Sequence, residues 1–130
     1  MKLGYTIVYV SDPAASLAFF EQAFGLTRKF LHDGGDYGEL ATGETTLAFA
    51  SHGLGAGNMP GGYVRADGEK PLGMEIALVT EEIQAAHARA VAKGATSLKE
   101  PTVKPWGQTV SYVRCPDGTL VELCTPVVSS

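Results

Sequence analysis

Glu122 is a carboxylate in the middle of a segment that is otherwise built to be buried. It lies between Val121 and Leu123 in the stretch SYVRCPDGTLVELCTP, residues 111–126. This stretch predicts a strand, a tight turn and a second strand. Tyr112 lies on the first of these strands, ten residues before Glu122. A carboxylate in this position could bind a metal ion, contact a substrate or face solvent.

The alternation of side chains along the predicted strands groups further candidates with Glu122. Successive residues of a strand point to opposite faces of its sheet, and we expect the more apolar face to carry the helices. The other face combines small, apolar, aromatic and polar side chains: Tyr5, Ile7, Tyr9, Ala48, Glu75, Gln108, Tyr112, Glu122 and Cys124. Such a face suits the lining of a ligand pocket. A face open to water is the simpler alternative, against which the aromatic and aliphatic members argue.

The first half of the chain predicts the element order βαβββ. A strand at 4–10 is followed by Ser11 or Asp12 as a helix cap, and Gly25 ends the helix. Strands are then predicted near 27–32, 36–42 and 45–51. These elements must position Tyr5, Ile7, Tyr9 and Ala48.

The second half repeats this order about 70 residues later. A strand at 73–79 precedes a helix with Thr80 as its cap and Gly94 at its end. A short segment at 96–103 and strands at 107–114 and 119–125 complete the half. The internal repeat is stronger evidence for the architecture than any single motif.

The segment HGLGAGNMPGGYVRADGEKP, residues 52–71, separates the two halves. It is long for a loop in a compact domain, and such loops are usually functional or disordered. Two interpretations are open, a mobile linker and a flap over a ligand. In the second, Met59, Tyr63 and Arg65 are the expected contact residues.

Composition excludes several classes of protein. The net charge of −4 gives no basic surface for nucleic acid, and no run of apolar residues is long enough to cross a membrane. The two cysteines, Cys115 and Cys124, predict neither a disulfide framework nor a CxxC metal site. Because the N-terminus also lacks the pattern of a signal peptide, we expect a cytoplasmic protein.

The repeated halves, the segment YVSDPAASLAFFEQAFGL and the segment PWGQTVSYVRCPDGTLVEL resemble the vicinal oxygen chelate superfamily. This superfamily includes glyoxalase I, bleomycin resistance proteins, fosfomycin resistance enzymes, epimerases and extradiol dioxygenases. In the extradiol dioxygenase motif, Tyr112, Pro116, Gly118 and Glu122 match, whereas Cys115 departs from the pattern. Only the segment 52–71 lies outside the resemblance.

The resemblance implies an α+β fold of paired βαβββ modules. A curled mixed sheet would surround a U-shaped pocket, with the helices outside. One domain would span residues 1–130, with module one at about 1–51, the glycine-rich linker or flap at 52–71 and module two at about 72–126. The face that carries Glu122 would line the pocket.

The superfamily's enzymes hold a divalent metal with one residue from the first and one from the fourth strand of each half. The equivalent positions here are Tyr5, Ala48, Glu75 and Glu122. Only Glu122 matches, Glu75 is another possible ligand, and Ala48 cannot coordinate a metal. The metal-free interpretation is therefore preferred, and no cofactor is expected. If a divalent metal were bound, Glu75, Glu122 and His52 would hold it.

Without a metal, Glu75 and Glu122 become two carboxylates in one cavity, and burial and repulsion should raise the pKa of at least one. They could act as an acid–base pair with Tyr112, or attract a cationic ligand. The aromatic residues expected beside them are Tyr5, Tyr9, Trp106 and Tyr112.

Two functions remain open. The first is a metal-independent binding protein of the bleomycin resistance type, which sequesters an aromatic or cationic molecule such as an antibiotic. The second is a metal-dependent lyase, isomerase or dioxygenase. A homodimer is expected in either case, because family members of this length commonly pair. His32 and His87 are expected to be surface or packing residues.

Overall fold

Two successive βαβββ modules make up the chain, of which a computed structural model describes residues 1–127. The first module contains β1 (Tyr5–Val10), α1 (Pro13–Phe24), β2 (Thr27–Leu31), β3 (Tyr37–Ala41) and β4 (Thr46–Ser51). The helix α2 (His52–Asn58) follows. The second module contains β5 (Ile76–Val79), α3 (Ile83–Ala92), β6 (Thr96–Val103), β7 (Thr109–Arg114) and β8 (Leu120–Cys124). The predicted α+β fold of paired modules is confirmed. The end of the expected domain, residues 128–130, lies outside the described residues.

Each module forms its own four-stranded mixed sheet. The strand orders are β1-β4-β3-β2 and β5-β8-β7-β6, and the first pair of each sheet is parallel while the others are antiparallel. The two orders are equivalent, as the internal repeat predicts. Within residues 1–127 no ladder of hydrogen bonds joins β1 to β5, so the curled sheet consists of two separate halves.

The strand register aligns the predicted site positions of the two modules. In the first sheet, Ile7, Ala48 and Glu39 form one row across β1, β4 and β3. In the second sheet, Ala77, Glu122 and Tyr112 form the equivalent row across β5, β8 and β7. We call the face of each sheet that carries its row the open face, because the helices cover the opposite face.

Local chemistry explains the bounds of α1. The Asp12 carboxylate accepts a hydrogen bond from Ala15 N at 3.3 Å, Pro13 occupies the first turn, and Gly25 ends the helix at φ 71°. Leu17 and Phe20 are fully buried beneath it. The predicted helix is confirmed, and Asp12 rather than Ser11 is its cap.

The helix α3 begins later than the sequence predicted. Thr80 was expected as its N-cap, but the Thr80 hydroxyl accepts a bond from Glu82 N, 3.1 Å away, and forms a turn before the helix. The first helical residue is Ile83, and its N-cap, Glu82, makes no side-chain cap. The predicted strand at 73–79 is also shorter, because Gly73 to Glu75 precede β5.

One apolar core spans both modules. It combines buried side chains of α1 and α3 with the covered faces of the two sheets: Val10, Leu17, Phe20, Ala23, Leu40, Leu47, Phe49, Ile83, Ala90, Ala95, Val113, Cys115, Val121 and Leu123. The helices α1 and α3 contact each other, and the Arg89 guanidinium donates to the carbonyl of Gln22 at 2.7 Å. The modules are thus held together through their helices.

No helix among the described residues is long and apolar enough to cross a membrane.

The segment between the modules is neither a plain loop nor loosely attached. Its first part forms α2, which the glycines at 53, 55 and 57 concealed in the sequence. The Arg114 guanidinium then holds the later part, donating to the carbonyls of Ala66, Gly68 and Glu69 at 2.7–3.1 Å. The chain passes so close to the β7–β8 turn that a Cβ at Gly118 would overlap the Ala66 carbonyl.

Candidate functional site

The open face of the second sheet carries an acid–tyrosine pair. Tyr112 on β7 and Glu122 on β8 are directly opposite in the register, and the Tyr112 hydroxyl donates to Glu122 Oε1 at 2.9 Å. This bond to a carboxylate, together with burial, raises the pKa of Tyr112 to about 12. Tyr112 therefore remains a neutral hydrogen-bond donor at physiological pH. These two residues were predicted to be neighbours, and the structure places them in contact.

Glu75 joins this pair from the residue before β5. Burial raises the pKa of Glu75, and the neighbouring Glu122 carboxyl group raises it further. Glu75 is therefore protonated more easily than a free glutamate. The group Glu75, Glu122 and Tyr112, called here the acid cluster, can thus exchange a proton or accept hydrogen bonds from a cation.

Cys124 borders the acid cluster on β8. Its thiol is buried and lies 3.8 Å from the Leu78 carbonyl, which it faces as a weak donor. Burial, followed by the neighbouring Glu122, raises the pKa of this thiol. Cys124 therefore lines the site as a neutral group and is poorly suited to be a nucleophile.

Trp106 and Gln108 lie at the end of the same sheet, in and after the β6–β7 turn. Trp106 Nε1 donates to Gln108 Oε1, and Gln108 Nε2 donates to the Thr125 carbonyl, both at 2.8 Å. Both polar ends of Gln108 therefore have protein partners. The Trp106 indole is 65% exposed, so its ring remains open for contact with a ligand or another chain.

The open face of the first sheet holds Tyr5, Ile7 and Ala48. Tyr5 and Ile7 on the edge strand β1 are exposed, whereas Ala48 is fully buried in the same face. Among residues 1–127 no side-chain hydrogen bond or aromatic contact joins this group to the acid cluster. The predicted site residues therefore form two groups, one in each module.

Glu39 is a site residue of the first module that the sequence analysis missed. It lies beside Ala48 in the register, is 6% exposed, and accepts a hydrogen bond from the Tyr37 hydroxyl at 2.7 Å. Lys29 lies 3.6 Å from its other oxygen. Burial and the bond to Glu39 raise the pKa of Tyr37. The alternation of Tyr37, Glu39 and Ala41 along 36–42 was the signal that could have revealed this second acid–tyrosine pair.

Tyr63 fastens the segment between the modules to the first sheet. Its ring lies 4.9 Å from that of Tyr9, and its hydroxyl is 2.7 Å from His52 Nδ1. Asn58 Nδ2 also donates to the Tyr9 hydroxyl, 3.2 Å away. Gly55 allows this packing, because a Cβ there would overlap the Tyr63 side chain. Tyr9 and Tyr63 thus form one aromatic surface.

Arg65 has a different environment from that of Tyr63. Its guanidinium donates to the Asp67 carboxylate at 2.9 Å and to the Ser11 hydroxyl at 2.8 Å, which fastens the segment to the start of α1. Met59, the third expected flap residue, is 46% exposed and ends α2. The structure therefore groups Tyr63 with the predicted site, and gives Arg65 an anchoring role.

Crevices between β1 and residues 72–78 connect part of the first group with the acid cluster. The crevice beside the tyrosines has a volume of about 160 Å³ and is lined by Ile7, Val8, Tyr9, Tyr63, Val64, Ala66, Leu72 and Met74. A smaller one shares Val8, Ala66, Leu72 and Met74 with it and reaches Glu75. Together they form an apolar slot, with two tyrosines at one end and a carboxyl group at the other.

The acid cluster does not have the donor set of a catalytic metal centre. Residues 1–127 contain no group of three or more His, Cys, Asp or Glu side chains arranged to hold an ion. The proposed third ligand, His52, lies against Tyr63, and burial followed by the charge of Arg65 lowers its pKa. Three protein ligands are typical of catalytic metal sites. Residues 1–127 therefore do not fit a catalytic divalent metal ion.

His87 is a packing residue, as expected. It is buried in α3, with its ring nitrogens 2.9 Å from the Ser111 and Ser97 hydroxyls. These bonds connect α3 to β6 and β7, and the two serines lie on the covered face of the second sheet. His87 therefore supports the sheet and takes no part in the open face.

Solved structures with the same fold cover almost the entire chain. A glyoxalase-related enzyme from Fulvimarina pelagi is 22% identical with a TM-score of 0.82, covering 97% of this chain and 88% of that chain. A glyoxalase/bleomycin resistance protein/dioxygenase family enzyme from Burkholderia phytofirmans PsJN is 18% identical with a TM-score of 0.80, covering 98% and 100%. A member of the same superfamily from Sphaerobacter thermophilus DSM 20745 is 25% identical with a TM-score of 0.70, covering 97% and 98%.

The family assignment has a separate source in the sequence. No curated protein matches the chain. The family model of the Glyoxalase/Bleomycin resistance protein/Dioxygenase superfamily matches residues 2–123, which include both modules and the acid cluster. Together with the paired βαβββ modules, this match shows that the chain belongs to the Glyoxalase/Bleomycin resistance protein/Dioxygenase superfamily.

Proposed function

We propose that this protein is a metal-independent small-molecule-binding protein that sequesters an aromatic or cationic ligand. The observation that supports this function is the acid cluster. Glu75 and Glu122 are neighbouring carboxyl groups beside Tyr112, on an open face that is otherwise mainly apolar and aromatic. The metal ligands of related enzymes are replaced at Tyr5 and Ala48. The remaining carboxylates are then free to contact the ligand directly.

The chemistry of the acid cluster favours a ligand with a positive charge. A cation lowers the free energy of the doubly ionised pair, because it reduces the repulsion between Glu75 and Glu122. Arg114, a cationic side chain on this face, is engaged by four backbone carbonyls. A ligand cation would therefore meet little competition from Arg114.

The apolar slot supplies contacts for an aromatic group. Tyr9 and Tyr63 present ring faces at its end, and Val8, Leu72 and Met74 form its walls. Aromatic rings bind both flat apolar groups and cations, with about 0.5–2 kcal/mol for a single cation–π contact. The slot and the acid cluster together suit a molecule with one flat end and one charged end.

A homodimer and a cytoplasmic location belong to the same proposal. Tyr5, Ile7 and Val79 expose apolar surface on the edge strands of the two open faces, and a second copy would cover it. Both cysteines are buried and unpaired, as is usual for proteins of a reducing compartment. Sequestration of a toxic molecule, such as an antibiotic, is a role that requires no catalytic step.

Metal analysis followed by a thermal-shift screen tests the function. We expect purified protein to retain its ligand affinity after chelation, with no stoichiometric metal bound. Aromatic amines should raise the unfolding temperature, since a ligand at about 100 times its Kd adds about 2.7 kcal/mol to stability. Glu122→Gln should abolish most of this shift. Tight stoichiometric metal that is required for ligand binding would overturn the proposal and favour the lyase, isomerase or dioxygenase alternative.

A further inference from the structure

Met74 lines three crevices that lie between β1 and residues 72–78. Two of them form the apolar slot, the crevice beside the tyrosines and the smaller one that reaches Glu75. The third has a volume of about 350 Å³ and also reaches Glu75. The thioether side chain of Met74 therefore borders both the aromatic end of the slot and the acid cluster.

The Met74 side chain is accessible to small molecules in solution. It is 56% exposed and lies outside the apolar core. The other two methionines, Met1 and Met59, are also exposed, but neither lines any of the three crevices. Of the three methionines, only Met74 combines access from solvent with a position in the slot.

The cysteines compete poorly with Met74 for an oxidant. Cys115 and Cys124 are each 4% exposed, and burial raises the pKa of both thiols. Peroxides attack a cysteine as its thiolate, which is scarce when the pKa is raised. A thioether has no proton to lose, so its oxidation depends mainly on access. The exposed methionines are therefore the sulfur atoms that an oxidant reaches first.

We propose that Met74 is an oxidation site that makes ligand binding in the apolar slot redox-sensitive. The inference rests on the proposed small-molecule-binding function and adds a means of regulation to it. The oxidant is a hydroperoxide such as hydrogen peroxide, which transfers one oxygen atom to the thioether sulfur. Its O–O bond breaks and an S–O bond forms, the sulfur is oxidised by two electrons to the sulfoxide, and the peroxide is reduced to water.

The sulfoxide changes the chemistry of the slot wall. Its oxygen is a polar acceptor, whereas the neighbouring wall residues, Val8 and Leu72, are apolar and offer no side-chain donor. A flat apolar group bound in the slot would cover this oxygen and remove it from water without a partner, which is unfavourable. Oxidation therefore weakens ligand binding, and enzymatic reduction of the sulfoxide restores it.

Peptide mapping by mass spectrometry after brief treatment with hydrogen peroxide tests the chemical step. Met74 should form its sulfoxide at a rate within about threefold of that of Met59, which has similar exposure, while both cysteines stay unmodified. A Met74 rate further below that of Met59 would show that the oxidant does not reach the sulfur, and would overturn the inference.

Calorimetric titration with 1-naphthylmethylamine, which combines a flat aromatic group with a positive charge, tests the effect on binding. Peroxide should weaken binding to the wild-type protein about 10-fold, and methionine sulfoxide reductases should reverse the loss. Met74→Leu and the matched control Met59→Leu are each compared with their own untreated sample. Met59→Leu should lose affinity as the wild type does, whereas Met74→Leu should lose none. An equal loss in the two variants would overturn the inference.

Thermal unfolding separates a change in the slot from damage to the fold. Because Met74 lies outside the apolar core, the oxidised wild-type protein should unfold within about 3 °C of the untreated protein. A larger drop would show that oxidation weakens binding through the fold, and would overturn the inference.

The same titrations distinguish failure of the inference from failure of the proposed function. If Glu122→Gln weakens binding of the probe but oxidation of Met74 does not, the acid cluster binds ligands and the redox sensitivity is wrong. If the untreated wild-type protein does not bind the probe, redox control of this ligand class is wrong. The metal analysis and thermal-shift screen then test the proposed function independently.

Discussion

The raised pKa of Glu75 makes the stability of the fold depend on pH. Because the pKa of Glu75 is raised on folding, the folded state holds a proton that the unfolded state has already released. The stability that this proton gives is fully present below the unfolded pKa of about 4.3 and is lost as the pH rises through the folded pKa.

Glu75→Gln should remove this loss of stability. We expect the variant to gain stability relative to the wild type between pH 4 and pH 7, so that its free energy of unfolding rises relative to that of the wild type. Urea unfolding at several pH values measures this difference. Curves for the two proteins that stay parallel over this range would contradict the coupling of Glu75 to Glu122.

The sequence could predict individual members of the acid cluster because strand alternation is local. The positions of Tyr112 and Glu122 follow from the parity of two adjacent strands joined by a short turn. Glu39 could have been found by the same parity argument as Glu122.

At the scale of elements, the segment between the modules crosses closely over the β7–β8 turn. Gly118 has φ 93° and lies against the Ala66 carbonyl, so Gly118→Ala combines backbone strain with an overlap. Gly107 has the same φ but no atom within 4 Å of an added Cβ. Gly107→Ala is therefore a matched control that carries only the backbone strain.

We expect Gly107→Ala to lower the free energy of unfolding by about 1–2 kcal/mol, the usual cost of a left-handed alanine. Gly118→Ala should lower it by about 1–3 kcal/mol more, because the Ala66 backbone must move. Chemical denaturation of both variants measures the difference. Equal losses would show that the segment is not held closely against the turn.

Element bounds could be predicted where a local signal acts alone. The Asp12 cap and Gly25 fix α1 as the sequence suggested. The start of α3 could not be predicted, because Thr80 has two local options and forms a turn instead of a cap. The helix α2 was missed since alternate glycines oppose helix formation. Its stability comes from Tyr63, which packs against Gly55 and bonds to His52.

At the scale of the whole molecule, the internal repeat predicted two modules but could not predict their packing. The two sheets share no strand pairing within residues 1–127, and the modules meet through α1, α3 and a common core. Such side-chain packing leaves no periodic signal in the sequence. The edge strand of each open face also exposes apolar side chains: Ile7 on β1 is 46% exposed and Val79 on β5 is 66% exposed.

Sedimentation at micromolar concentration tests the proposed homodimer. The wild-type protein should sediment as a dimer, because the β1 and β5 edges expose apolar side chains. A stable interface that covers them would bury about 1,200–2,000 Å². Ile7→Lys places a charge in this interface and should raise the dimer dissociation constant more than about tenfold.

Val91→Lys is the matched control for Ile7→Lys. Val91 is 40% exposed on α3, which covers the opposite face of the second sheet, so its replacement should leave the dimer intact. A wild-type protein that sediments as a monomer would contradict the homodimer. Dissociation by Val91→Lys but not by Ile7→Lys would place the interface on the helices instead, which would contradict an interface through the β1 and β5 edges.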